Sequence, residues 1–228
     1  MSTFLDNPVW ASLTGLHASF ASGNDRIKLY PSEMVPFAAV SEPGIVLDEQ
    51  TLKANLGSHE YVYFVGTVPD VRSGRHSLIT LDNILQMVRT AQSVPSADGT
   101  ALHRLERTDV PAMLDLTGRV YPAYFRARTI EMGTYYGVFD GSKLVAMAGL
   151  RMAPGSYREI SGVCTDPAYA GRGYARALCE RLTQAVLSAG GDVMLHMDID
   201  NHRARKLYET LGFEVRREIG LSRLERRQ

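Results

Sequence analysis

The segment from residue 158 to residue 191 constrains the fold more than any other part of the chain. Its first eight residues favour a strand, a turn follows at Asp166-Pro167, and a glycine-containing loop runs from Ala170 to Gly173. From Tyr174 onward, apolar residues recur with a period near 3.6 until Gly190-Gly191 ends the run. The segment therefore predicts a strand, a glycine loop and a long amphipathic helix, in that order.

A glycine loop at the start of a helix is a typical phosphate-binding site. Unpaired backbone N–H groups and the positive end of the helix dipole meet there. Gly171 and Gly173 allow an anion to approach the backbone closely, and Arg172 and Arg176 add positive charge at the rim. Arg176 stands where a dinucleotide fingerprint has its third glycine, and a Walker loop would need Gly-Lys-Ser/Thr. The loop therefore predicts a phosphate site of another class, and an ordinary strand-to-helix turn is the alternative.

A second motif follows one predicted strand later. Together the two motifs resemble the GNAT superfamily of N-acetyltransferases. The family's first motif, Arg/Gln-x-x-Gly-x-Gly/Ala, is matched by residues 170–175, which read Ala-Gly-Arg-Gly-Tyr-Ala. The second, Asn-x-x-Ala-x-x-Leu-Tyr-x-x-x-Gly-Phe, is matched by Asn201, Ala204, Leu207, Tyr208, Gly212 and Phe213. The resemblance covers about residues 101 to 228.

The resemblance implies a mixed α/β fold of the GNAT acyl-CoA N-acyltransferase type. Its central sheet would be mixed and mostly antiparallel, and splayed at the CoA site. The implied activity is that of an enzyme that moves an acetyl group from acetyl-CoA, its cosubstrate, to a primary amine in a ternary complex, with no metal. The alternative is a non-catalytic acyl-CoA-binding sensor or regulatory protein. The presence of both Asn201 and Tyr208 argues against that alternative.

The resemblance also implies which residues bind CoA. Main-chain groups of the strand before the loop would hold the pantetheine arm, and the N–H groups of the loop would hold the phosphates. The predicted CoA-binding residues are Val163, Cys164, Thr165, Ala170, Gly171, Arg172, Gly173, Tyr174, Ala175, Arg176, Asn201 and Tyr208. Asn201 is equally suited to cap the following helix. Ala170 replaces the family's usual Arg or Gln, so we expect CoA binding with less side-chain support.

Three side chains are candidates for proton transfer. Tyr208 resembles the general acid of the family, which protonates the departing CoA thiolate; the alternative is a core aromatic on the apolar face of its helix. The amine must lose a proton, because a lysine amine has a reference pKa of about 10.4 and an α-amine one of about 7.7 to 8.0. Glu159 lies fourteen residues before Gly173, the spacing of the glutamate base in protein-lysine-acetylating relatives. His196 is the second candidate base, and the alternatives are a solvated glutamate and a satisfied buried histidine.

Alternation along the strand predicts that Glu159, Ser161, Val163 and Thr165 share one face. The resemblance implies that Cys164 lines the CoA site. A covalent role for Cys164 would need an activating neighbour, and no sequence feature places a histidine beside it. Direct transfer of the acetyl group is therefore expected.

The first hundred residues match no motif. Leu81 to Thr90 and Pro8 to Ala21 are predicted as helices, and Tyr61 to Val68 as a buried strand. Small and turn-forming residues from Ala91 to Thr100 predict a linker.

This linker divides a smaller mixed α/β region, residues 1–95, from the acetyltransferase domain, residues 101–228. The order strand, loop and helix from Tyr61 to Val88 also echoes the segment from Glu159 to Leu187. That likeness suggests that the N-terminal region is a degenerate copy of the same fold.

Composition limits the partners and the location of the protein. The 25 Lys and Arg balance the 25 Asp and Glu, so no global field favours nucleic acid or a membrane surface. No apolar run approaches the roughly 20 residues of a membrane span, and Cys164 and Cys179 lack metal-ligand or disulfide spacing. We therefore expect a cytoplasmic protein whose partners are acetyl-CoA and an amine acceptor. The sequence leaves open the acceptor, the acyl chain length and whether the chain forms a homo-oligomer.

Overall fold

The structure is a computed structural model that describes residues 3–89, 99–120 and 124–227. Over these residues the α-helices are α1 (Pro8–Leu13), α2 (Glu49–Leu56), α3 (Val110–Val120), α4 (Tyr174–Ser188) and α5 (His202–Thr210). The strands are β1 (Ser22–Gly23), β2 (Ile27–Leu29), β3 (Ala38–Val40), β4 (Val46–Asp48), β5 (Tyr61–Val65), β6 (Asp70–Arg72), β7 (His76–Thr80), β8 (Ile84–Arg89), β9 (His103–Arg104), β10 (Tyr135–Asp140), β11 (Lys143–Leu150), β12 (Tyr157–Thr165), β13 (Asp192–Asp198), β14 (Phe213–Ile219) and β15 (Leu221–Arg226). Each helix in this part of the chain is too short or too polar to span a lipid bilayer.

The chain divides into two compact units that do not follow its linear order. The first unit comprises Met1–Ile84, Met152–Gly155 and Glu218–Gln228, and the second comprises Leu85–Arg151 and Ser156–Arg217. The predicted domains have other boundaries, and the predicted linker lies almost entirely outside the described residues. As a result, β8 belongs to the second unit apart from its first residue, and β15 belongs to the first.

The second unit is built on a mixed sheet. Within the described residues, its strand order is β14-β8-β13-β12-β11-β10-β9. The strand β10 pairs antiparallel with β9 and β11, and β11 pairs antiparallel with β12. The neighbours β12 and β13 run parallel, as strands joined by a crossover helix do. The predicted mixed, mostly antiparallel sheet is confirmed.

The helices α4 and α3 cover opposite faces of this sheet. Apolar residues of α4 at four-residue spacing, Leu178, Leu182 and Val186, share a buried cluster with Ile160 and Leu195. Burying each such side chain contributes about 2 kcal/mol. On the other face, α3 contributes Met113 and Leu116 to a cluster that includes Met147 and Cys164. We call these two surfaces the α4 face and the α3 face.

The first unit contains smaller sheets. The strands β5, β15 and β7 form one antiparallel sheet, and β1, β2 and β3 form another. The strands β4 and β6 form a parallel pair, and β4 leads into α2. The N-terminus of α2 is capped by the Asp48 carboxylate, which accepts from the Thr51 N–H at 2.8 Å. One buried apolar cluster of this unit consists of Ile27, Leu29, Ala38, Val40, Leu47, Leu52, Leu56, Val62, Phe64 and Leu224.

The structure corrects two predicted helices in the first hundred residues. The helix predicted from Leu81 to Thr90 is wrong, because β8 occupies Ile84–Arg89. The helix predicted from Pro8 to Ala21 ends as α1 at Leu13, and turns and a short 3-10 helix follow. The likeness between Tyr61–Val88 and Glu159–Leu187 required a helix at its end, so it no longer supports a duplicated fold.

Candidate active site

The glycine loop opens the N-terminus of α4, as predicted. Gly171 and Gly173 have φ angles of 80° and 81°, in the left-handed region that favours glycine. The first helical hydrogen bond runs from the Ala177 N–H to the Gly173 carbonyl oxygen at 3.0 Å. The N–H groups of the three residues between them come before that bond and have no carbonyl of a preceding turn to reach. This arrangement suits a bound phosphate.

Asp166 fixes the chain where β12 gives way to the loop. Its carboxylate lies 2.8 Å from Lys143 Nζ and 2.7 Å from Arg119 Nη1, and it accepts from the Ala168 N–H at 3.0 Å. These hydrogen bonds, first from Lys143 and then from Arg119, hold the pKa of Asp166 well below its usual range. The carboxylate therefore stays ionised and ties the start of the loop to β11 and α3.

The two arginines at the rim differ in their contacts. The Arg172 guanidinium lies 4.7 Å from the centre of the Tyr169 ring, a cation–π contact that does not neutralise its charge. Arg176 instead donates to Thr210 Oγ1 at 2.8 Å and lies 3.5 Å from the Glu180 carboxylate. We therefore expect Arg172 to supply more of the positive charge at the loop.

The strands β12 and β13 are in register only along their first halves. Pairing runs from Tyr157 opposite Asp192 to Ile160 opposite Leu195. The strand β12 nevertheless continues to Thr165, and β13 continues to Asp198. The two strands therefore part beyond Ile160, on the way to the glycine loop.

A β-bulge lies in the second half of β12. The register with β11 passes from Ser161 opposite Gly149 to Cys164 opposite Met147. Three steps along β12 thus match two steps along β11, so β12 contains one extra residue. Gly162, inside the bulge, has a φ of 61°. A bulge of this kind reverses the alternation of side chains that follow it.

The bulge corrects the prediction that Glu159, Ser161, Val163 and Thr165 share one face. Val163 packs against the cluster of the α4 face, whereas Cys164 belongs to the cluster of the α3 face. Ile160 also lies on the α4 face, so Glu159 and Ser161 point to the α3 face. The side chains on the α3 face are therefore those of Glu159, Ser161 and Cys164.

Cys164 is poorly suited to form an acyl-enzyme. Its side chain is buried, and burial raises the pKa of the thiol to about 12. The thiolate is the nucleophilic form. The thiol therefore stays protonated near pH 7, and the role of Cys164 as a lining residue of the CoA site stays a prediction.

The two candidate bases, Glu159 and His196, are in direct contact. Glu159 Oε1 lies 2.8 Å from His196 Nδ1, and the two side chains are 1% and 5% exposed. Arg151 donates to both carboxylate oxygens, from Nε at 2.8 Å and from Nη2 at 2.8 Å. Burial alone would raise the pKa of Glu159, but the charge and hydrogen bonds of Arg151, with those of His196, hold it well below its usual range. Glu159 is therefore an ionised carboxylate and a weak proton acceptor.

Replacing Glu159 with Gln should destabilise the fold by about 3 to 5 kcal/mol, because Arg151 would stay buried without its counter-charge. Since the folded-state pKa of Glu159 is depressed, its contribution to stability is present above pH 4.5 and is lost as the pH falls below that value. Urea unfolding between pH 2.5 and pH 7 should show a steeper loss in the wild type than in Glu159→Gln.

The matched control is Glu209→Gln, which breaks an exposed pair. Arg205 Nε and Glu209 Oε1 are 2.8 Å apart, with side chains 44% and 48% exposed. Such a pair contributes about 0.2 to 1 kcal/mol. Equal losses in Glu159→Gln and Glu209→Gln would contradict the assigned role of Glu159.

Sequence analysis did not identify three other polar residues that join this pair. Arg151 donates to Glu159 on one side of the pair. On the other side, Gln86 Nε2 lies 3.0 Å from His196 Nε2. Arg216 Nη1 in turn donates to Gln86 Oε1 at 2.7 Å. None of the three belongs to a motif, and only the pairing of distant strands brings them to His196.

The second motif forms the start of α5. The Asn201 carboxamide accepts from the Ala204 N–H at 3.0 Å, so Asn201 is the N-cap, and its predicted contact with CoA stays a prediction. Tyr208 is 8% exposed and belongs to the cluster of the α4 face. Its ring meets that of Phe213 edge to face, with centroids 6.0 Å apart. Tyr208 and the Glu159–His196 pair therefore lie on opposite faces of the sheet.

A narrow cleft opens on the α3 face beside the bulge. Its lining is Thr117, Tyr124, Phe125, Thr129, Tyr135, Arg151, Ser161, Gly162 and Cys164. The cleft is thus adjacent to Glu159 through Arg151 and Ser161. Among residues 3–89, 99–120 and 124–227, no three His, Cys, Asp or Glu side chains are grouped as a metal site would require.

Comparison with known proteins supports the family suggested by the motifs. A model of the acetyltransferase (GNAT) family matches residues 101–213. The N-alpha-acetyltransferase RimI of Mycobacterium tuberculosis is 32% identical over 146 residues, which are 59% of this chain and 86% of RimI. A mycothiol acetyltransferase of Beutenbergia cavernae is 39% identical over 75 residues, which are 32% of this chain and 25% of that protein.

A solved structure resembles the whole chain. A protein from Novosphingobium aromaticivorans that is assigned to the GNAT acetyltransferases aligns with a TM-score of 0.86 and 31% identity, over 100% of both chains. The prediction of fold and family is thereby confirmed, and the non-catalytic alternative is not favoured. The chain belongs to the GNAT family and is an acetyl-CoA-dependent N-acetyltransferase.

Proposed function

We propose that the enzyme transfers the acetyl group directly from acetyl-CoA to a primary amine while both substrates are bound. The observation that carries the proposal is the position of the glycine loop at the end of β12, beside the parting of β12 and β13. With the phosphates at the start of α4, the pantetheine arm would run back along Thr165, Cys164 and Val163. The thioester would then lie at the gap between the strands, within reach of both faces of the sheet.

Main-chain groups of β12 are suited to hold the thioester carbonyl oxygen. In the described register, β13 pairs with β12 only as far as Ile160. The N–H groups beyond Ile160 that face the gap can therefore donate to the oxygen as negative charge develops on it. One such donor typically contributes about 3 to 4 kcal/mol to transition-state stabilisation.

Tyr208 is the proposed general acid. A phenol with a reference pKa of about 10 can donate to a thiolate of comparable basicity. Tyr208 approaches from the α4 face, where Val163 also packs. The residue that protonates the leaving sulfur and the residue that accepts the amine's proton would thus lie on opposite sides of the sheet.

His196 is the proposed proton acceptor, and Glu159 is proposed to position it. The oxygens of Glu159 are occupied by Arg151 and His196, which makes the carboxylate a weak acceptor. Its bond to Nδ1 orients the imidazole ring and leaves Nε2 as the nitrogen that can take a proton. The Gln86 amide lies 3.0 Å from Nε2, so the amine, or one water molecule bound to it, would replace that contact before Nε2 accepts the proton.

The proposed acceptor is an α-amine. The relative from M. tuberculosis is named an N-alpha-acetyltransferase. An α-amine also has a reference pKa of about 7.7 to 8.0, against about 10.4 for lysine, so far more of it is neutral near pH 7. The location in the cytoplasm and the oligomeric state stay predictions.

Initial rates over a grid of acetyl-CoA and peptide concentrations should give intersecting double-reciprocal lines, because the Cys164 thiol is buried and protonated. The acceptor is a peptide with a free α-amine and no lysine, and the control peptide has a blocked α-amine and one lysine.

Parallel lines together with one acetyl group on Cys164 would contradict direct transfer. Thiol release with the control peptide alone would rule out the α-amine. Binding of acetyl-CoA without thiol release from any amine would restore the sensor alternative.

A further inference from the structure

A row of hydrogen bonds crosses four strands of the second unit. Arg216 on β14 donates from Nη1 to Gln86 Oε1 on β8 at 2.7 Å. Gln86 Nε2 lies 3.0 Å from Nε2 of His196 on β13, whose Nδ1 lies 2.8 Å from Glu159 Oε1 on β12. Gln86 is 0% exposed and the His196 side chain 5%. The middle of the row is therefore largely removed from bulk solvent.

The donors and acceptors in this row have one consistent assignment. A guanidinium only donates, so the Gln86 oxygen faces Arg216 and the Gln86 NH₂ group faces His196. An ionised carboxylate only accepts, so His196 carries its hydrogen on Nδ1, towards Glu159. Nε2 must then accept from the Gln86 NH₂ group. Arg216 at one end and Glu159 at the other therefore favour the neutral imidazole with its lone pair on Nε2.

We propose that Gln86 is a positioning residue that keeps His196 in the neutral form able to accept the amine's proton. The proposal rests on the role of His196 as the base. Protonation of Nε2 would set two N–H donors against each other at 3.0 Å, so Gln86 disfavours the imidazolium form. When the amine, or a water molecule bound to it, displaces the Gln86 N–H from Nε2, the lone pair of Nε2 becomes available to form the new N–H bond.

Other charged and titratable groups act on His196 through these neighbours. Glu159 contacts the ring from β12 with an ionised carboxylate. Arg151 pairs with that carboxylate, and the buried Tyr135 interacts electrostatically with both groups. Arg216 acts through Gln86. Gln86 is the neutral member that directly contacts Nε2, so its substitution tests the proposal with the least change to the ion pairs.

The proposal assigns the first hundred residues a part in the chemistry. Gln86 precedes the region that matches the family model, residues 101–213. The strand that carries it lies between β13 and β14 in the sheet of the acetyltransferase unit. The residues before 101 therefore supply a strand and a side chain at the proposed base.

The test compares Gln86→Glu, Gln86→Met and His196→Gln in the full-length chain. Nitrogen-15 NMR of histidine-labelled protein follows the tautomer and the titration of His196, with His196→Gln identifying its signals. In the wild type the Nδ1–H tautomer is expected. Gln86→Glu should move the midpoint upward by about one pH unit, because a carboxylate would accept from a protonated Nε2, and kcat/KM on the acidic limb should fall about tenfold in step. Gln86→Met should move the midpoint in the same direction by less.

The matched control is Gln184→Glu, the same substitution at an exposed position of α4, which should leave the midpoint and kcat/KM unchanged. An unchanged midpoint in a folded Gln86→Glu protein would overturn the inference. A second outcome is a shifted His196 midpoint with a wild-type pH profile of kcat/KM in both Gln86→Glu and His196→Gln. That outcome would refute His196 as the base and would leave only the effect of Gln86 on the His196 tautomer. A fall in kcat/KM with no change in the pH profile would make Gln86 a structural residue only and would also overturn the proposal.

Discussion

A Gly173→Glu enzyme should bind acetyl-CoA about 100-fold more weakly than the wild type, or not at all. The new carboxylate would stand at the start of α4, where we propose that the pyrophosphate lies. Two unit charges of like sign 4 Å apart repel by about 4 kcal/mol at an effective dielectric constant of 20. The carboxylate would also accept from the free N–H groups itself, so the helix would cap its own anion site. Titration calorimetry with acetyl-CoA measures the loss.

The control for this experiment is Gly190→Glu at the other end of the same helix. Gly190 has a φ of 74°, close to the 81° of Gly173, and a Cβ there would meet nothing within 4 Å. Both variants therefore carry about the same backbone strain and the same added charge. If Gly173→Glu fails to fold, Gly171→Glu replaces it, because a Cβ at Gly171 also has open space. Wild-type affinity in either loop variant would refute the proposed phosphate site.

The glycine loop was predictable because its geometry is local. Positive φ at Gly171 and Gly173 and the helix that follows depend on a few consecutive residues. The bulge in β12 was not predictable, because it depends on the register in which β12 pairs with β11. The sequence pattern does not give that register. Gly162 was the one signal in the sequence, since a glycine inside a strand often marks a bulge.

The contact between Glu159 and His196 shows a second limit of prediction from the sequence. Each residue was predicted as a separate base, since each follows from a motif or a neighbouring strand. Their pairing, and the ion pair of Glu159 with Arg151, depend on the parallel register of β12 with β13 and on the chain that follows β11. That register turns two alternative bases into one hydrogen-bonded unit with divided roles.

The strand β8 was mistaken for a helix for a physical reason. Its residues Leu85, Gln86 and Met87 are all buried, so the period of two that marks a half-exposed strand is missing. Short apolar runs buried on both faces look alike as helix and strand. The error also hid Gln86, because only a strand between β13 and β14 can bring that side chain to His196.

A Tyr208→Phe enzyme should keep its fold and its affinity for acetyl-CoA and should lose turnover. General acid catalysis typically contributes about 10²- to 10⁴-fold, and a water molecule acting as the acid would bring the loss towards the lower figure. The phenyl ring would still fill its place beside Phe213 and in the cluster of the α4 face. The variant therefore removes the proton donor and keeps the packing.

The matched control is Tyr136→Phe, which removes a hydroxyl from another tyrosine that packs against the same cluster. Tyr136 lies under Arg181, whose guanidinium is 5.2 Å from the ring centre, and it has no proposed part in the reaction. We expect kcat to fall in Tyr208→Phe alone, with melting temperature and acetyl-CoA affinity close to wild type in both variants. A Tyr208 that only packs predicts equal kcat in the two variants, because the ring itself is kept. Full turnover in a stable Tyr208→Phe enzyme would therefore refute the acid, and proton delivery to the thiolate would have to come from solvent.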